Sequence, residues 1–241
     1  MTAATERTSA PLRVGGLTRL SASDWSGQLS AVVFCQGCPW RCAYCHNPHL
    51  LRANGPTEMA WEDVLAFLRR REGLLDGVVF SGGEPLAQRA LRAAMREVRG
   101  MGFRVGLHTS GAYPQRLRQV LPLIDWVGLD VKAPFEAYSS ITGIPGSGAD
   151  ALASAKLIID SGVAYEVRTT VHPRQLTPRA IETMVEQLTR LGARHYALQE
   201  FRAQGCRDGD LTGSAVPSFL DESFAASVAP RFESFQLRRA A

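Results

Sequence analysis

The sequence predicts an α/β fold built on a parallel sheet, and three observations carry that prediction. Six short apolar runs rich in β-branched residues alternate with longer stretches of helical period. The runs show little apolar–polar alternation, as expected of strands covered on both faces. Each run ends in polar or glycine-rich residues, at the carboxyl ends where parallel α/β folds gather their chemistry. Strand and helix in turn imply right-handed crossovers.

The expected strands are 31–35 (AVVFC), 77–81 (GVVFS), 103–109 (FRVGLHT), 125–130 (DWVGLD), 164–171 (AYEVRTTV) and 195–201 (HYALQEF). A helix is expected over 57–72. Thr57 can cap it, acids fill its first turn, and Trp61, Val64, Leu65 and Leu68 share one apolar face. Further helices are expected over 86–100, 114–121, 149–161 and 177–191. The last opens on Thr177–Pro178, a cap followed by the proline favoured at the first helical position, and Gly192 follows its end. Residues 205–216 read as a loop before a short C-terminal element. Residues 1–14 read as a flexible tail and 15–241 as a single domain.

At 241 residues the chain is long enough to bury a core without staples. Net charge is +4, carried by arginine apart from Lys132 and Lys156. Like charges form no block: 69-RRRE-72 falls on a helical pattern and reads as a solvated face, so no nucleic-acid partner is expected. No apolar run is long enough to span a bilayer, and residues 1–13 lack the apolar region of a secretory signal. The expected compartment is therefore the reducing cytoplasm, where crowded cysteines bind metal or react rather than form disulfides.

Four of the five cysteines lie in 34-FCQGCPWRCAYCHNP-48. Their spacing, C-x2-C-x3-C-x2-C, is neither the paired knuckles of a structural zinc site nor the ferredoxin run. With Cys35 set aside, Cys38, Cys42 and Cys45 form C-x3-C-x2-C. Three thiolates can hold three irons of a cubane and leave the fourth open to a small ligand.

The segment 38-CPWRCAYC-45, with 82-GGE-84 after the next strand, resembles the signature of radical S-adenosylmethionine (SAM) enzymes. Together with SGGEPL, DVKAP and LQEFR, the match runs from about Gly15 to about Asp210. It is similar to the activating enzymes of glycyl-radical proteins, in particular to the activating protein of anaerobic ribonucleoside-triphosphate reductase. The resemblance implies a partial (β/α)6 barrel of parallel strands, with a 4Fe–4S cluster on Cys38, Cys42 and Cys45 and SAM on the open iron. An electron from a low-potential donor such as flavodoxin or ferredoxin would cleave SAM. The resulting deoxyadenosyl radical would take hydrogen from a glycine of the reductase.

The resemblance also implies roles. Gly82, Gly83 and Glu84 would receive SAM's ammonium, which suits glycines that admit close backbone approach and a carboxylate that pairs with a cation. Tyr44 would lie against the adenine, Thr109 and Ser110 would make polar contacts at the same mouth, and Asp130 and Lys132 would contact ribose and carboxylate. Arg168 and Arg202 would point toward the mouth. His108 stands where related activating enzymes often carry an aspartate that helps hold a cation beside SAM, so the resemblance leaves that cation site open. His46 and Asn47 suit bonding to cluster sulfur or ordering of the loop; Cys35 reads as structural and Cys206 as incidental. Two other readings compete: a small-molecule radical SAM enzyme of the deazaguanine synthase kind, and a zinc-stabilised binding module using all four cysteines.

Overall fold

The computed structural model describes residues 10–213 and 217–240. Its strands are β1 (Val14–Ser21), β2 (Ser30–Cys35), β3 (Gly77–Gly82), β4 (Arg104–Thr109), β5 (Trp126–Asp130), β6 (Ala164–Val171), β7 (His195–Glu200) and β8 (Ser234–Arg238). They form one sheet in sequence order, with β1 antiparallel to β2 and every later pair parallel. Among the described residues β1 and β8 do not pair, so the sheet is a partial barrel, open on one side. The helices are α1 (Trp61–Arg69), α2 (Leu91–Gly100), α3 (Pro114–Val120), α4 (Tyr138–Thr142), α5 (Ser147–Ser161), α6 (Pro178–Arg190), α7 (Gly209–Thr212) and α8 (Glu222–Val228). No helix among the described residues is long and apolar enough to cross a membrane.

All six expected strands are present, flanked by two that the sequence pattern hid. β1 carries Gly15–Gly16, which breaks its apolar run; β8 makes a seventh parallel strand where six were expected. Of the expected tail, residues 1–9 lie outside the described residues. Leu12 and Val14 are buried, so the packed chain begins before Gly15.

Helix starts moved where tertiary bonds compete. Thr57 does not cap α1, because Glu58 N donates to Val14 O and Met59 bridges Val14, holding this stretch extended until Ala60. α2 begins at Leu91 rather than 86, because the Glu84 side chain caps a separate single turn at Pro85–Ala87. α6 starts as expected: Thr177 Oγ1 accepts from Ala180 N at 3.2 Å.

The two-residue period of the strands divides the interior. Ala31, Val33 and Cys35 of β2, with Val78 and Phe80 of β3, face the helices and pack with Trp61, Val64 and Leu68 of α1 and Met95 of α2 in the main core. The alternate residues, Val32 and Val79, join Trp25 and Trp126 in a smaller cluster on the other face. There Trp25 and Trp126 stack with centroids 5.7 Å apart. These indoles floor the barrel, and the polar residues that follow them along β3–β6 make the site.

Candidate active site

The cysteine loop leaves the end of β2 and is fixed by bonds that do not involve its thiols. Trp40 is buried edge-on against Tyr138, and Arg41 N donates to Thr142 O at 2.8 Å. Arg41 Nη1 donates to the carbonyls of Cys38 and Trp40, both at 3.0 Å. The loop thus turns its sulfurs toward a cleft of about 140 Å³. Cys38, Cys42 and Cys45 line that cleft with Tyr44, Gly82, Gly83, Thr109, Ser110, Asp130 and Lys132. Cys35 does not; it is fully buried in the helix-facing core, the structural place expected for it.

Burial pushes the thiol of Cys38 up to about 12 and raises those of Cys42 and Cys45, so anionic sulfur here calls for bound metal as its counter-charge. Among the described residues no three His, Cys, Asp or Glu side chains are grouped to hold a single ion. A cubane presents a separate iron to each thiolate, and all three cysteines line this one cleft. The donor set fits the cluster. Tyr44 Oη, buried without a hydrogen-bond partner, fits a ligand seated beside it, since such orphaned groups in folded proteins normally find one.

The Gly82–Gly83–Glu84 turn is bolted to the cysteine loop. Gly83 N donates to Cys35 O at 2.9 Å and Glu84 N to Gly37 O at 2.8 Å. Gly82 has φ +112°, and a Cβ there would collide with the backbone of Cys35. The glycines therefore serve close approach of protein to protein. Glu84 differs from expectation. Its side chain is fully buried, does not line the cleft, and accepts from Thr109 Oγ1 (2.8 Å), Ser110 Oγ (2.6 Å), Ser110 N (2.8 Å) and Leu86 N (3.1 Å). Burial raises its carboxyl even against these donors. Glu84 ties the end of β4 to the glycine turn through the hydroxyls of Thr109 and Ser110 and the backbone N–H groups of Ser110 and Leu86.

Asp130 and Lys132 both line the cleft, with Lys132 Nζ 4.0 Å from Asp130 Oδ2 and 5.6 Å from the Tyr44 ring centre. Burial works against the Lys132 charge, but Tyr44, Cys42 and Asp130 outweigh it and hold the ammonium well above lysine's usual range. Burial likewise opposes the Asp130 charge, and Arg168 and Lys132 overcome it to keep the carboxyl low.

Arg168 lies one layer deeper, with Nε donating to Asp130 Oδ1 at 3.0 Å. Gly128 makes room for it: a Cβ there would stand 2.7 Å from the guanidinium carbon. Arg168 Nη1 is also 3.1 Å from His108 Nε2, which bonds Asp24 O at 2.8 Å. Burial and then Arg168 push His108 down to about 4, so it is neutral near pH 7. In place of a carboxylate that could hold a cation, this position presents a neutral ring beside a fixed guanidinium.

Across His46, His108, Asp130 and Thr170, which line both, the cleft opens into a polar chamber of about 570 Å³. Together the two reach the size of ordinary ligand sites. Ser23, Asp24 and Ser26 beyond β1, and Gln199, Gln236 and Arg238 of β7 and β8, line it, so it lies where the barrel fails to close. Arg168 and Arg202 belong to this chamber rather than to the cysteine cleft. His46 orders the loops: its Nε2 lies 2.9 Å from Arg202 O and its ring stacks on Phe201. Cys206 is closer to the chemistry than its isolation in sequence suggests, its thiol donating to Ala43 O at 3.6 Å. The sequence reading missed Gly128, Thr170 and the Trp25–Trp126 floor; the spacing Trp126–Gly128–Asp130 was the available signal for the first.

A barrel open on one side, with C-x3-C-x2-C sulfurs and a glycine turn at its mouth, defines a class. The radical SAM superfamily model matches residues 32–188, and the chain belongs to that superfamily, whose members use a 4Fe–4S cluster and SAM. Within it, the chain is 30% identical over 213 residues to a Methanocaldococcus jannaschii protein assigned by name to the glycyl-radical enzyme activating enzymes, covering 85% of this chain and 86% of that one. It is 32% identical to the pyruvate formate-lyase-activating enzyme of Clostridium pasteurianum over 67% of this chain and 69% of that one. It is 36% identical to the 7-carboxy-7-deazaguanine synthase of Methanopyrus kandleri over 45% and 51%. In structure it is similar to QueE of Escherichia coli (TM-score 0.55, 18% identity), over 95% of this chain and 94% of that one. It is also similar to Streptococcus suis SuiB bound to S-adenosylmethionine (TM-score 0.65, 12% identity), over 86% of this chain and 48% of that one.

Proposed function

We propose that the chain, acting as one domain over residues 15–241, is an activase that generates a glycyl radical on anaerobic ribonucleoside-triphosphate reductase. Cys38, Cys42 and Cys45 would hold the cluster. Tyr44, Gly82, Gly83, Thr109, Ser110, Asp130 and Lys132 would surround SAM, with Glu84 positioning the turn and Arg168 positioning Asp130. When bound, the cluster would supply the electron for reductive cleavage of SAM and, through it, hydrogen abstraction from the substrate. The electron would come from a low-potential carrier such as flavodoxin or ferredoxin. Lys132 offers the cation for SAM's carboxylate. The Trp25–Trp126 floor keeps water from entering beneath the site.

One observation supports a protein as the substrate. The chamber joined to the cysteine cleft is polar and sits at the unclosed side of the barrel. An extended loop of another protein can enter from that side, and its peptide groups can bond Gln199, Gln236 and Thr170. The test is paramagnetic resonance of the reductase after anaerobic incubation with this protein, SAM and reductant. A glycyl doublet is expected; SAM cleavage without a doublet would refute the activase reading. The 36% identity to a 7-carboxy-7-deazaguanine synthase favours one second reading, a deazaguanine synthase, tested by turnover of that enzyme's substrate.

A further inference from the structure

A cluster held by Cys38, Cys42 and Cys45 would need a path to its reductant. Among the described residues, Cys38 is the one that lines both the cysteine cleft and an outer groove of about 640 Å³. That groove runs over Arg13, Gly37, Pro39, Gln88, Arg89 and Tyr113. A second groove, of about 390 Å³, shares Gln88 and Arg89 with it and adds Arg92 and Arg116. Four arginines therefore line these two joined grooves, whose described lining residues include no carboxylate; Glu62 and Glu97 line an adjoining groove on the far side of Ala10, Pro11 and Ala90. Arg116 lies over the Tyr113 ring at 4.6 Å, and its Nη1 donates to Leu86 O at 2.8 Å. Arg89 and Arg92 are exposed and form no ion pair among the described residues.

We infer that this arginine-lined groove is the docking surface for the electron donor: an acidic protein carrying a low-potential one-electron cofactor. The inference rests on the functional reading above and gives its reductant a place. Charge complementarity selects the acidic partner and speeds its encounter. Cys38, which lines both the groove and the cleft, sets the short path, which matters because electron tunnelling falls steeply with distance. One electron leaves the carrier, which is oxidised by one, and enters the cluster, which is reduced by one. No bond changes until that electron passes to the sulfonium.

The test uses cluster-loaded protein and an acidic flavodoxin as probe. Flavodoxin binding is titrated calorimetrically, and cluster reduction is followed optically in stopped flow, with dithionite as a donor that needs no docking. Arg89→Glu with Arg92→Glu should weaken flavodoxin binding and slow its reduction of the cluster by about tenfold or more at low salt, and flatten the salt dependence. Reduction by dithionite should be unchanged, as should all readouts in the control Arg179→Glu on α6. Wild-type binding and reduction rates in the double variant would overturn the inference. So would a loss confined to binding of the reductase, which would assign the groove to that partner. If dithionite-reduced wild-type protein fails to cleave SAM, the functional reading falls, while the binding titration still decides the surface.

Discussion

Substituting Glu84 separates two roles that the sequence motif cannot. If the carboxylate holds a ligand cation, Glu84→Ala removes affinity and leaves folding intact. If it is the strut seen here, the protein itself is weakened. The four donors divide unequally when the acceptor goes. The hydroxyls of Thr109 and Ser110 can rotate to other acceptors. The backbone N–H groups of Ser110 and Leu86 cannot move. A buried unpaired donor costs about 1–3 kcal/mol, so Glu84→Ala should cost about 2–6 kcal/mol. In Glu84→Gln, the amide oxygen can stay on the Ser110 pair and leave Leu86 N alone facing an NH2 group, for about 1–3 kcal/mol. The assay is urea unfolding of cluster-free protein by circular dichroism, compared at constant m-value. Midpoints of both variants within error of wild type, with SAM binding lost, would refute the strut and restore the carboxylate as a ligand group.

Cys35→Ala should keep full iron, sulfide and cluster spectrum, whereas Cys42→Ala should lose them; equal loss in both would favour a four-cysteine metal site. Lys132→Met should weaken SAM binding tenfold or more, as expected when a charge-assisted bond of about 1.5–3 kcal/mol is lost, with calorimetry as the measure. His108 should make stability depend on pH. Its folded value of about 4 lies below the usual 6.5, so the unfolded chain takes up the proton first as pH falls. Stability conferred by the neutral ring is then complete above pH 6.5 and lost toward pH 4. At pH 4.5 the loss is about 2–3 kcal/mol, from roughly 1.4 kcal/mol per unit. His108→Gln should lack that part of the loss in urea midpoints at pH 7 and 4.5; parallel losses in the two proteins would show that His108 is not its source.

The sequence by itself determined the strand–helix alternation, the spacing of the three cysteines and the polar residues at the strand ends. Those signals are local: β-branched runs, a fixed thiol spacing, and polar residues at strand ends that a parallel sheet must bring to one side. Tertiary structure alone decided what each polar group faces. Glu84 and Lys132 are both charged residues just beyond strands, yet one is sealed under four donors and the other opens on the cleft. Gly128 and Arg168 are forty residues apart and become lock and key only when β5 and β6 pair in register. β1 and β8 escaped notice because edge strands gain stability from a neighbour that no local pattern names. Their failure to meet leaves the side of the barrel open, a property of closure around the whole sheet that no single segment encodes.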